Sequence, residues 1–232
     1  MVETKKTVLF IVEGASDKVA LEKIFQKIYQ SNRKIIFRFT GGDISSDETI
    51  TIGNVCDKIN QIVHEFLKSS KLHRSDIYQI IQLFDMDGAY IPDTAIVSGS
   101  SNDLEYHLTN ISCKNPIKAK KRNLHKSEIM NYLLTIHDIK SIPYEMYFMS
   151  CNLDHALYDC QNLDDELKQE YADAFYEEFS SKEKMFIEFL KTDVVNGTPN
   201  EYPQSWRYIK TDLHSLERHT NLHIYFDRHP VL

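Results

Sequence analysis

The stretch Val8-Leu9-Phe10-Ile11-Val12-Glu13-Gly14 narrows the possible folds more than any other. Five apolar residues, three of them β-branched, read as a strand buried on both faces. A glutamate and a glycine end it, and Ser16 is placed to cap a following helix. That helix is predicted from about Asp17 to Gln30, with Leu21, Ile24, Phe25 and Ile28 on one apolar face. Lys34 to Phe39 reads as a second strand ending in Thr40-Gly41-Gly42. A polar loop from Asp43 to Thr51 and a helix from about Ile52 to Ser69 follow. Ile77 to Phe84 is the third strand, running into Asp85-Met86-Asp87-Gly88. Strand–helix–strand–helix–strand implies a parallel α/β sheet with right-handed crossovers. Ligands bind such sheets beyond the carboxyl ends of the strands, where Glu13, Gly41, Gly42, Asp85 and Asp87 all fall.

The alternation loosens after Gly88. Ala95–Val97 and Leu104–Leu108 suggest short strands. Lys114 to Lys126 reads as a basic loop, with Lys114, Lys118, Lys120, Lys121, Arg122 and Lys126 and no acidic residue. A helix from Ser127 to about His137 leads to a fourth sheet strand, Tyr144–Met149. Residues of about 89–143 are thus an expected insertion in a catalytic domain spanning 1–155. Residues 156–232 read as a mainly helical C-terminal subdomain, with helices over Leu163–Phe179 and Lys182–Leu190. A short final strand is expected at Leu222–Phe226.

A formal net charge of −7 argues against a protein that coats nucleic acid non-specifically, although local basic clusters remain compatible with a nuclease. Cys56, Cys113, Cys151 and Cys160 form no C-x-x-C pair, so a zinc knuckle is not expected. No apolar run reaches the length of a membrane span and none resembles a signal peptide, so the expectation is a cytoplasmic protein with reduced thiols.

Residues two apart in a strand point to the same side, so Asp85 and Asp87 form a carboxylate pair that repels unless a cation lies between them. Hard oxygen ligands of this kind suit Mg²⁺ or Mn²⁺. Glu13, at the same end of the sheet, is placed to act as general acid or base or as a further ligand. Asp17 lies one helical turn on. It serves either the same space or only the helix N-terminus. The segment Lys114–Lys126 is the best candidate to contact a phosphate backbone.

The order Val12-Glu13-Gly14-x-x-Asp17, Thr40-Gly41-Gly42, Phe84-Asp85-Met86-Asp87 resembles the Toprim domain, clearly over residues 6–88 and less fully over 144–155. The resemblance implies a Mg²⁺ or Mn²⁺ site with Glu13 as acid/base and Asp85 and Asp87 as ligands. The second acidic residue of the first motif is similar to the nuclease branch, which includes the overcoming-lysogenization-defect enzymes. Ser150-Cys151-Asn152-Leu153-Asp154-His155 is similar to a strand-end motif of stand-alone Toprim proteins that accompany ATPases in phage defence. On that mapping Asp154 is a further ligand or support. The implied function is cleavage of RNA, tRNA among the candidates, or DNA by an abortive-infection effector restrained by an ATPase partner.

Two other classes stay open. Phe84-Asp85-Met86-Asp87-Gly88 is also similar to the nucleophile motif of haloacid-dehalogenase-type phosphatases, which would make Asp85 the nucleophile but leave Glu13 unexplained. A Toprim module without catalysis, acting as a nucleic-acid-binding or regulatory subunit, is the other. The spacing His219-x-x-x-His223 has no third ligand nearby and reads as two ordinary histidines.

Overall fold

All six residues of the first strand, β1 (Thr7–Val12), are buried, as expected for a strand with neighbours on both edges and helices on both faces. The computed structural model describes residues 6–31, 33–194 and 197–230. After β1 the chain forms α1 (Ala15–Ile28), β2 (Lys34–Phe39), α2 (Val55–Ser70) and β3 (Ile77–Asp85). Three short strands follow, β4 (Ile96–Ser98), β5 (Glu105–Tyr106) and β6 (Ile111–Cys113), then α3 (Pro116–Leu133) and β7 (Asp138–Ile139). The fourth long element of the sheet is β8 (Ile142–Ser150). It leads into α4 (Leu153–Tyr158), α5 (Lys168–Phe179), α6 (Glu183–Thr192), α7 (Tyr202–Ile209), β9 (His219–Thr220) and α8 (Leu222–Arg228).

The main sheet runs β2-β1-β3-β8-β7, with β9 also paired to β8. The pairs β1–β2, β1–β3 and β3–β8 are parallel, and β7 and β9 join β8 antiparallel. The architecture is therefore α/β, a mostly parallel sheet flanked by helices. One face is covered by α1, α5, α6 and α8 around an aromatic cluster that includes Phe10, Phe25, Phe37, Phe186 and Tyr225. Phe10 and Phe37 stack across neighbouring strands with ring centroids 4.6 Å apart. The other face is covered by α2, α3 and α7 through Val55, Ile59 and Val63, Ile129, Met130 and Leu133, and Trp206 and Ile209. The strands β4, β6 and β5 form a separate small sheet with its own core around Ile96, Ile111 and Leu216. Among the described residues, no helix is long and apolar enough to cross a membrane.

Because α1 and α2 lie on opposite faces, the strand order reverses between β1 and β3. That is the switch point at which an open α/β sheet presents a crevice beyond its carboxyl edge.

Two expectations are corrected here. The basic segment is not a loop: Asn115 accepts the N–H of Lys118, Pro116 takes the first helical turn, and α3 runs through the whole lysine cluster. Leu222–Phe226 is not a strand but most of α8, all five residues buried. A short apolar run reads equally as a buried strand or a buried helical turn. The neighbouring His219–Thr220 supplies the strand pairing instead.

Candidate metal centre

Every parallel strand delivers a carboxylate to the same edge of the sheet. Glu13 follows β1, Asp43 follows β2, Asp85 ends β3 and Asp154 opens α4 just after β8. With Asp17 of α1 they line a cleft of about 590 Å³, in which Lys168 is the one basic lining residue among those described. Sequence reasoning places Glu13, Asp17, Asp85 and Asp154 here and misses Asp43. The signal is present, because Asp43 directly follows Gly41-Gly42 at the same edge.

The geometry at Asp87 departs from simple strand alternation. The strand ends at Asp85, and the chain then turns: Asp87 adopts φ 47°, a left-handed conformation that Asp tolerates better than most residues. Its N–H donates to the Cys151 carbonyl at 2.6 Å. Gly88 continues the turn at φ 66°, where a Cβ would stand 2.8 Å from both Ile111 and Leu216. A Cβ there would have to push these two side-chain ends aside, and the left-handed φ itself favours glycine. In consequence Asp85 faces the cleft while Asp87 points toward α3, and the two carboxylates do not form the side-by-side pair expected from a strand.

Asp87 Oδ2 accepts from Arg122 at 2.6 Å and from Lys126 at 2.8 Å. Lys126 also donates to Asp43 Oδ2 at 2.6 Å and lies 3.9 Å from Glu13 Oε1. With 0% of its surface exposed, Lys126 is a core member of the acidic centre and not a nucleic-acid contact. Arg122 is likewise turned inward, and its guanidinium also donates to the Asp87 carbonyl at 3.3 Å. Lys114, Lys118 and Lys121 are exposed and Lys120 partly so. Along α3, Ala119, Asn123 and Lys126 face the core with Arg122 beside them, Lys121 lies on the opposite side, Lys118 sits one turn before Arg122 at the exposed edge of that face, and Lys114 precedes the helix.

The remaining carboxylates have weaker support. Glu13 Oε1 accepts the Asp85 N–H at 3.3 Å, and Asp85 Oδ1 accepts the Leu153 N–H at 2.9 Å. Gly14, not Ser16, caps α1; Asp17, in the first turn, reaches back to accept the Gly14 N–H at 2.8 Å and also lines the cleft. Asp154 lies 3.7 Å from Lys168.

Electrostatics follow this division. Burial, then the Asp43 carboxylate, pushes Glu13 well above the usual carboxylate range. Burial, then Glu13 and Asp17, does the same to Asp85. Burial also raises Asp17, and it lifts Asp154 to about 6 against the opposing charge of Lys168. Asp43 behaves oppositely: burial works against its ionisation, but the Lys126 ammonium and the Ser45 hydrogen bonds hold its carboxyl well below the usual range. Burial disfavours the charge of Lys126 too, yet Asp43, Asp87 and Glu13 together raise it far above an ordinary lysine.

Carboxylate oxygens of Glu13, Asp43 and Asp87 lie within 4.8 Å of one another, a set able to hold a metal ion. The donor chemistry fits a hard divalent cation. So does the imbalance of charge, since a cation in the cleft relieves the repulsion that raises Glu13 and Asp85. The other candidate groups are settled differently. His219 bonds Thr198 and Glu217, while His223 bonds Asn200, so the two rings do not converge on a metal. Burial, then Asp87 and Asp85, raises the Cys151 thiol well above its usual range, which keeps it un-ionised and unsuited to nucleophilic attack. No protein-family model, curated protein or solved structure matches the chain.

Proposed function

We propose that this chain is a divalent-metal-dependent phosphodiester hydrolase, a Toprim-type nuclease acting on RNA or DNA. One observation carries the reading: carboxylates from the ends of all four parallel strands converge on the switch-point cleft, and Glu13 and Asp85 meet no cationic partner within 3.5 Å among the described residues. Glu13 and Asp85 would hold Mg²⁺ or Mn²⁺ on the cleft side, with Asp87 behind them on Arg122 and Lys126 and with Asp17 and Asp154 assisting from the α1 and α4 sides. The ion supplies positive charge to the phosphoryl oxygens and acidifies water at neutral pH.

The residues of the chain divide the remaining work. Glu13, half-buried and lifted above the ordinary carboxylate range, is suited to accept and return a proton. The Leu153 N–H fixes one oxygen of Asp85 and leaves the other toward the cleft. Arg122 and Lys126 hold Asp87 in its turned position. The exposed lysines Lys114, Lys118 and Lys121 supply a surface for the phosphate backbone. The order of the motifs adds an antiviral role in the cytoplasm under an ATPase partner, and that part of the reading rests on the resemblance alone.

The test is nuclease activity of the purified chain on tRNA, single-stranded DNA and duplex DNA with Mg²⁺, Mn²⁺ or EDTA, beside Glu13→Ala and Asp85→Ala. Metal-dependent cleavage lost in both variants is expected. Hydrolysis of a small phosphate ester that survives Glu13→Ala, without nucleic-acid cleavage, would sink this reading in favour of a phosphatase. Binding of nucleic acid without any hydrolysis would instead mark a non-catalytic module.

A further inference from the structure

The acidic centre has two halves whose charge is met in different ways. In the inner half the Lys126 ammonium is 2.6 Å from Asp43, 2.8 Å from Asp87 and 3.9 Å from Glu13. These three carboxylates come from the ends of three strands, and the lysine comes from the middle of α3. Asp43 is fully engaged, because its other oxygen accepts the Ser45 N–H at 2.7 Å. Asp87 Oδ2 is shared between Lys126 and Arg122. In the outer half Glu13 and Asp85 receive backbone N–H groups, at 3.3 Å and 2.9 Å. The outer residues line the open cleft, whereas Asp87, Arg122 and Lys126 do not.

Oxygens of Glu13, Asp43 and Asp87 are close enough together to share one cation, and Lys126 already reaches all three. We propose that Lys126 is the resident cation of the centre: its ammonium permanently fills the place among Asp43, Asp87 and Glu13, and so limits the chain to one divalent ion, held on the cleft side by Glu13 and Asp85. The inference rests on the metal-dependent reading of this site. Two-metal phosphodiester sites set their cations roughly 3.5–4 Å apart. Here one of the two positions is occupied by a group tethered to the fold. Expelling it would leave a buried ammonium without its carboxylates, which is strongly unfavourable. Lys126 is thus a positioning residue that acts through Asp43, Asp87 and Glu13.

The test is a Mn²⁺ titration of the full chain, counted by equilibrium dialysis and by the electron paramagnetic resonance of the bound ion. One ion per chain with a mononuclear spectrum is expected. Glu13→Gln and Asp85→Asn should each weaken binding about tenfold or more, and Asp43→Asn clearly less than either, because Asp43 serves the lysine and not the metal. Lys126→Met, if folded, should gain a second ion, and Lys126→Arg should not. Two ions in the wild type overturn the inference alone, as does an Asp43→Asn loss equal to that of Glu13→Gln, or a folded Lys126→Met that still binds one. No bound Mn²⁺ in the wild type overturns it together with the metal-dependent reading. Should Lys126→Met fail to fold, the wild-type count and the Asp43→Asn comparison still decide.

Discussion

Asp85 at the end of β3 accepts the backbone N–H of Leu153 at the start of α4 across 2.9 Å, tying two neighbouring parallel strands together at the cleft. The same carboxyl is forced well above its usual range by burial and by Glu13, so its charge opposes folding when no metal is bound. Asp85→Asn keeps the acceptor for Leu153 and removes that charge. The variant is expected to lose nuclease activity while gaining about 1 kcal/mol of stability in EDTA, an example of a site whose charge is kept for function. Urea denaturation beside the cleavage assay checks both halves, and a clear loss of stability in EDTA would contradict the electrostatic account.

Metal binding should stabilise the fold by mass action. At a free Mn²⁺ concentration about a hundred times Kd, one site adds about 2.7 kcal/mol. In a chain of this length that corresponds to a Tm rise of roughly 5–10 °C. The rise should be reversed by EDTA and largely absent in Glu13→Gln. Differential scanning calorimetry with and without Mn²⁺ measures it. A wild-type Tm indifferent to Mn²⁺ would argue against a metal in the cleft.

A separate pH dependence arises from histidines that do not line the cleft. His223 is buried in α8, bonded to Asn200 at 3.2 Å, and burial lowers its pKa to about 4, against the opposing charge of Asp227. Between about 6.5 and 4 the unfolded chain takes up a proton there that the folded chain refuses. Stability from this group is therefore complete above about 6.5 and declines as pH falls toward 4. His155, also lowered to about 4 chiefly by burial, acts in the same direction. The difference between wild type and His223→Leu isolates one residue: the variant should show a shallower loss of stability on acidification. Equal slopes in urea unfolding at pH 7.5 and pH 5 would count against it.

Much of this arrangement is legible in the sequence, because the alternating elements carry clear periodicities. The strands before Glu13 and Asp85 are dense in apolar and β-branched residues, and their carboxyl ends are fixed once the sheet is parallel. Asp43 escapes because, even directly after Gly41-Gly42, a carboxylate opening a polar loop resembles a solvated turn residue until the folded chain brings it to the cleft. Lys126 misleads for a related reason. A lysine run suggests solvent, and only the folded chain shows that Arg122 and Lys126 turn inward while Lys118 and Lys121 stay exposed. The turn at Asp87 is likewise a tertiary effect, since the close approach of Ile111 and Leu216 to Gly88 joins segments distant in the chain.

The exposed face of α3 remains the best surface for a phosphate backbone. Lys118 and Lys121 are exposed, and beside them Ile117 and Leu124 stand out at 71% and 61% exposure. Charge reversal at Lys118 and Lys121 leaves the inward-facing Arg122 and Lys126, with their bonds to Asp87 and Asp43, intact, so the catalytic centre and the fold should survive. Each phosphate that the protein no longer neutralises takes about one counterion out of the salt dependence of binding. Lys118→Glu with Lys121→Glu is therefore expected to weaken nucleic-acid binding about tenfold or more at low salt and to flatten the slope of log K against log salt. Fluorescence anisotropy with single-stranded and duplex oligonucleotides, in Ca²⁺ to suppress cleavage, gives both quantities. Unchanged affinity and slope would move the substrate path away from α3, and the apolar pair Ile117 and Leu124 would then favour a protein partner on that face.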